Sequence, residues 1–105
     1  MHTRIGTFDV AVDRLDALVE LFRGPVFDAF SRHDGFLGYR AFVDRERGRM
    51  VGLSFWASLA DLQASEETAR AARAQAAALG ALTVGEPQLL EQAFDEAAPR
   101  RVAAR

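Results

Sequence analysis

FLGYRAFVDRERGRMVGLSFWA, residues Phe36 to Ala57, reads as two strands of aromatic and aliphatic residues around one polar turn. The turn is Asp44 to Arg49, and Gly48 stands where a left-handed residue lets the chain reverse. Side chains alternate along a strand, so Phe36, Gly38, Arg40 and Phe42 are expected on one face and Leu37, Tyr39, Ala41 and Val43 on the other. In the second strand Met50, Gly52, Ser54 and Trp56 share one parity, and Val51, Leu53 and Phe55 the other. The last set is uniformly apolar, which marks it as the expected core face. Both parities of the first strand are largely apolar, so the sheet is expected to be covered on both sides.

The flanking segments extend this pattern. Residues 2–12, HTRIGTFDVAV, read as a strand with Ile5, Phe8, Val10 and Val12 as its apolar members. Asp13, with Asp16 three residues on, has the spacing of a helix cap, and a helix is expected from Arg14 to about Arg32. Leu15, Leu18, Val19, Phe22, Val26 and Phe30 fall on one face of it. Gly24-Pro25 interrupts that helix: proline lacks a donor and clashes with the preceding turn, so a kink or break is expected. Gly35 suits the position past its end.

Ser58 is the expected cap of a second helix, with Asp61 three residues on and Gly80 as its stop after Leu79. Its apolar face, Leu59, Leu62, Ala69, Ala72, Ala76 and Leu79, is thin and mostly alanine, and Ser65 is expected to mark an irregularity. Glu66 and Arg70 have the spacing of an ion pair. A last strand falls within Leu82–Asp95, chiefly Gln88–Phe94, because Pro87 cannot donate to a ladder. Residues 97–105 read as a flexible tail, leaving one domain over residues 1–96.

Composition excludes several chemistries. The 13 basic and 15 acidic residues nearly cancel, so no broad field for phosphates exists and nucleic acid is not an expected partner. No apolar run is long enough for a membrane span, and the first residues lack the order of a signal peptide, so a cytoplasmic location is expected. The absence of cysteine removes thiolate nucleophiles and cysteine-ligated metals, and the absence of lysine removes Schiff-base chemistry. His2 and His33 are the only histidines, so no metal site is expected.

The order strand, helix, hairpin, helix, strand is that of an α+β, ferredoxin-like βαββαβ unit, a four-stranded antiparallel sheet with two helices on one face. The apolar open face then needs a cover, and a second copy of the sheet supplies it, giving a homodimer through the open sheet face. The segment HDGFLGYRAFVDRERGRMVGLSFWASLADLQAS resembles the central part of the antibiotic biosynthesis monooxygenase (ABM) family, within the dimeric α/β-barrel superfamily. It shares the Gly-Phe-x-Gly-aromatic strand start, the short charged turn and the strand ending Trp-x-Ser. The resemblance implies a cofactor-independent monooxygenase acting on a phenolic or polycyclic aromatic substrate, with no cofactor. The alternative is a non-catalytic dimeric module that binds a small ligand or serves as a structural unit of the same fold. Haem-degrading relatives share an asparagine on the first strand and a tryptophan and a histidine on the second helix. Here Ser65 and Gln75 occupy the helix positions and the chain has no asparagine, so haem degradation is disfavoured.

Six residues are candidates for a site. His33 has the chemistry of a general base toward a phenolic substrate, or of a helix-ending cation beside the last carbonyls. Arg40, on a strand expected to be covered, needs an anionic partner: a substrate enolate or carboxylate, or an ion pair. Tyr39 offers a hydroxyl to a ligand oxygen or to water. Trp56, Phe22 and Phe42 supply flat walls for a small aromatic ligand or plain packing.

Overall fold

Strand β1 (His2–Asp9) is the axis of the sheet in the computed structural model, which describes residues 1–100. On one side β1 pairs antiparallel with β3 (Arg49–Trp56), which pairs in turn with the edge strand β2 (Phe36–Asp44). On the other side it pairs with β4 (Leu82–Thr83) and β5 (Gln88–Glu91). This is the expected ferredoxin-like order with the last strand cut in two. The cut falls at Pro87. Between the Phe8–Thr83 and Ile5–Gln88 pairs, Val84, Gly85, Glu86 and Pro87 stand opposite only Gly6 and Thr7. The expected strand Gln88–Phe94 stops at Glu91, and of the expected tail, residues 101–105 lie outside the described residues.

The expected first helix is three pieces rather than one, preceded by a 3-10 turn. A 3-10 turn (Val12–Arg14) leads into α1 (Leu15–Leu21), then a π-helical turn (Phe22–Val26), then α2 (Phe27–Ser31). Pro25 explains the middle piece. Its missing N–H breaks the regular ladder, and the Phe27 N–H reaches back to the Phe22 carbonyl, five residues earlier. The break leaves the apolar face continuous: Leu15, Leu18, Phe22, Val26 and Phe30 are all buried. Each such side chain contributes about 1.5–3 kcal/mol. Asp13 is not the cap. It lies inside the 3-10 turn, and Arg14, at the N-cap of α1, makes no side-chain cap bond.

Ser58 does cap α3 (Leu59–Ala64), its Oγ accepting from the Asp61 N–H at 3.0 Å. Ser65 separates α3 from α4 (Glu66–Ala78), as its position suggests, with its hydroxyl donating to the Leu62 carbonyl at 2.6 Å. Leu62, Ala69, Ala72 and Ala76 are buried, whereas Leu59 is exposed. Glu66 pairs with Arg73 and Arg4 rather than with Arg70, which pairs with Glu67.

Two expectations about the hairpin are corrected. First, the core face of β3 is Met50, Gly52, Ser54 and Trp56, all buried, and Val51, Leu53 and Phe55 are only half-buried on the opposite face. The helices pack over the mixed face because it has room: Gly52 admits the Tyr39 ring, and the Ser54 Oγ accepts from Trp56 Nε1 at 2.9 Å. Second, parity in β2 does not run through from Phe36. Phe36 pairs with Trp56 and Gly38 with Phe55, so Leu37 is an extra residue in a bulge. The bulge brings Phe36 to the core side with Tyr39 and turns Leu37 outward. The turn itself is as expected. Gly48 has φ 74°, and a Cβ there would meet the Val10 carbonyl oxygen at 2.1 Å.

Candidate functional site

A hollow forms between sheet and helices because the sheet is nearly bare there. Gly6 of β1 pairs with Gly52 of β3, which pairs with Ala41 of β2. No side chain larger than a methyl rises from that row. The rings of Phe22 and Tyr39 lean into the space, stacked with centroids 5.8 Å apart, and Phe30 stacks on Tyr39 at 6.2 Å. Phe8 closes one side, 5.1 Å from Phe22. What remains is an inner cavity of about 30 Å³, enough for a water-sized group.

The polar lining of this cavity comes from Arg4, Thr7, Tyr39, Ser54, Arg73 and Thr83, and no Asp, Glu or His is in its wall. Burial pushes the Tyr39 hydroxyl well above its ordinary pKa, and the Arg4 charge pulls it back only in part. Tyr39 is therefore a hydrogen-bond donor at neutral pH, not a base. Arg4 sits next to Ser54 in the register, and Ser54 next to Tyr39, so all three project from one row of the sheet. The Arg4 side chain is only 6% exposed. Its Nη2 donates to the Leu62 carbonyl at 2.9 Å and lies 3.4 Å from Glu66 Oε2. Its Nε and Nη1 are buried with no partner.

Phe22 and Tyr39 also form the wall between this cavity and a wider groove outside it. The groove, about 380 Å³, is lined by Val19, Phe22, Arg23, Phe27, Tyr39 and Ala41. Phe22 opens the π-helical turn, so the residue that separates the two spaces also begins the irregular stretch of helix.

Of the six residues singled out from sequence, only Phe22 and Tyr39 meet here. Trp56 is fully buried, in edge contact with Phe30 and tilted against Phe36, and does not line the cavity. His33 packs edge-on to Trp56, ring centroids 6.1 Å apart, and its Nε2 is 2.7 Å from the Thr68 Oγ1. Arg40 and Phe42 lie on the opposite sheet face. Arg40 is exposed with its guanidinium 5.5 Å above the Phe55 ring, and Phe42 is exposed beside Val51. Arg4 was not singled out, although it shares parity with Phe8, and that parity is the signal that marks it as inward-facing. Among the described residues no three His, Asp or Glu side chains are grouped to hold a metal ion, and no helix is long and apolar enough to cross a membrane.

The sequence matches the family model described as antibiotic biosynthesis monooxygenase over residues 1–77. The comparison with curated proteins gives no match. Among solved structures, the fold is similar to that of a candidate antibiotic biosynthesis monooxygenase from Deinococcus radiodurans: 17% identity, TM-score 0.65, covering 96% of this chain and 99% of that one. It is similar to SnoaB, a cofactor-independent oxygenase from Streptomyces nogalater: 17% identity, TM-score 0.61, covering 90% and 94%. It is also similar to Rv0793 from Mycobacterium tuberculosis: 20% identity, TM-score 0.63, covering 92% and 98%. At these identities the likeness is one of fold.

Proposed function

The chain belongs to the antibiotic biosynthesis monooxygenase family, and on that premise we propose that it is a cofactor-independent oxygenase of a phenolic or polycyclic aromatic substrate. The observation that carries the reading is the shared wall of Phe22 and Tyr39 between an apolar groove and an inner cavity that Arg4 and Tyr39 also line. The substrate lies flat in the groove against Phe22, Phe27 and Tyr39 and presents an oxygen past the two rings toward the Tyr39 hydroxyl and Arg4. Those donors favour the ionised enol or phenol over its neutral form, which raises electron density at the adjacent ring carbon. At a benzylic methylene conjugated through the ring with the ionised oxygen, as in an anthrone, the balance is CH2 plus O2 giving C=O plus H2O. The carbon loses four electrons, dioxygen gains them, and no external reductant is consumed.

No carboxylate or imidazole is in the cavity wall, so the proton leaves to water rather than to a fixed base. His33, held against Trp56 and Thr68, is assigned a packing part in this scheme. Arg40 and Phe42 belong to the open sheet face, which is proposed to pair with a second copy of the chain. The test is oxygen uptake with an anthrone substrate and no added flavin, metal or haem. Uptake above the spontaneous rate that falls several-fold in Tyr39→Phe supports the reading, and uptake at the spontaneous rate overturns it.

A second reading, non-catalytic binding of a small ligand, is favoured by one observation: the inner cavity holds only a water-sized group and its wall carries no base. It predicts that an anthrone binds without consuming oxygen.

A further inference from the structure

We propose that Arg4 and Arg73 form an anion site at the inner cavity, so that the ligand of this protein is an aromatic carrying an anionic oxygen group, a carboxylate or a phenolate. The inference rests on the reading of the cavity as the ligand site and is independent of whether oxygenation follows.

Three observations carry it. Two arginines line the cavity, and no Asp or Glu does. A neutral aromatic would gain nothing from that wall that apolar residues could not supply, whereas an anion gains charge-assisted hydrogen bonds. Next, the nearest counter-charge is shared. Glu66 holds Arg73 through Oε1 at 2.8 Å and approaches Arg4 through Oε2 at 3.4 Å. One carboxylate between two guanidiniums leaves a net positive charge beside the cavity.

Lastly, Arg4 is a buried cation with unmet donors. A buried charge is tolerated when paired and fully hydrogen-bonded, and replacing it with an apolar residue of similar size is often neutral or stabilising. Here Nε and Nη1 have no partner and the one bridge, to Glu66, is long. Packing alone gives no reason for an arginine at this position, and a ligand oxygen does. The cavity volume of about 30 Å³ suits the head group of such a ligand rather than its rings, which lie against Phe22 and Tyr39.

Calorimetric titration of the full chain with 2-naphthoate, 2-naphthol and the neutral 2-naphthamide tests the site. We expect naphthoate to bind about tenfold or more tightly than naphthamide, with the preference lost in Arg4→Met and partly kept in Arg4→Lys. Naphthol binding accompanied by proton release, read from two buffers of different ionisation enthalpy, identifies the phenolate as the bound form. Equal affinity for naphthoate and naphthamide overturns the proposal, as does an undiminished preference in a folded Arg4→Met. If Arg4→Met does not fold, the arginine Nε–H resonances of the wild-type chain decide: a displaced resonance on adding naphthoate supports the site, and an unchanged spectrum overturns it. Oxygen uptake with the anthrone substrate, measured on the same protein preparations, separates the two readings. Naphthoate preference without uptake removes the oxygenase alone, and uptake without preference removes the anion site alone.

Discussion

The Tyr39 hydroxyl rests directly on the backbone of Gly52: a Cβ at position 52 would lie 1.8 Å from the hydroxyl oxygen and 2.7 Å from Cζ. Even alanine at 52 therefore displaces the whole ring, not only its hydroxyl. Tyr39 cannot retreat without disturbing Phe22 and Phe30, which stack on it. Gly52→Ala is expected to cost about 1–3 kcal/mol by overpacking, read as a lower urea midpoint, and to abolish ligand binding in the cavity. A variant as stable as wild type would mean that the ring is free to move. Tyr39→Phe, which leaves the ring in place, is expected to shift the midpoint far less while lowering oxygen uptake.

Ser54 is buried beneath the helices because Trp56 needs it. Its Oγ accepts from Trp56 Nε1 at 2.9 Å within the core. Ser54→Ala leaves the indole N–H without a partner and is expected to cost about 1–3 kcal/mol. Trp56 is the only tryptophan, so its emission reports the unfolding transition directly. An unchanged midpoint would show that the indole finds another acceptor.

The parts legible in the sequence were those fixed by local chemistry. Ser58 caps its helix through its own oxygen, Gly48 reverses the hairpin through its own backbone, and Pro25 interrupts a helix wherever it stands within one. The face of Leu15, Leu18, Phe22, Val26 and Phe30 was legible because the π-helical turn preserved it. What was hidden depended on tertiary choice. Hydrophobicity favoured Val51, Leu53 and Phe55 as core, yet the helices took the face with room for large rings. Counting by twos placed Phe36 with Arg40 until the bulge at Leu37 moved it. Arg4 was hidden for a different reason. A charged residue in a strand reads as solvent-facing, and only its place between a bare row and Leu62 makes it interior.

Asp9 and Arg49 face each other across β1 and β3 with two hydrogen bonds, 2.6 and 2.9 Å. Hydrogen bonding to Arg49, then its charge, holds the Asp9 carboxyl below its ordinary pKa. A carboxyl whose folded pKa is depressed stabilises the fold fully above its unfolded pKa. That contribution is lost as pH falls through the folded value. Wild type is thus expected to exceed Asp9→Asn in thermal stability at pH 6, with the gap closing below about pH 4. The pair is largely solvent-accessible, so the gap is expected to be small and to shrink with added salt. A gap that widened on acidification would reverse the assigned sign.

The open sheet face gathers Ile5, Val51, Leu53 and Phe55, half-buried, with Phe42 and Leu90 exposed at 58% and 47%. Leu53 is central to it, pairing with Ile5 on one side and Arg40 on the other. Two such faces brought together would remove these side chains from water, each gaining from its buried area. Arg40, already lying over Phe55, keeps its charge near the face without leaving it unpaired by an aromatic surface. If the proposed homodimer forms here, Leu53→Glu places two like charges in the desolvated centre of the interface and is expected to yield monomers. Sedimentation equilibrium at micromolar concentration measures this, with circular dichroism confirming that the monomer keeps its fold, since Leu53 faces away from the helices. A wild-type chain that sediments as a monomer would overturn the homodimer, and a Leu53→Glu chain that stays dimeric would place the partner surface elsewhere.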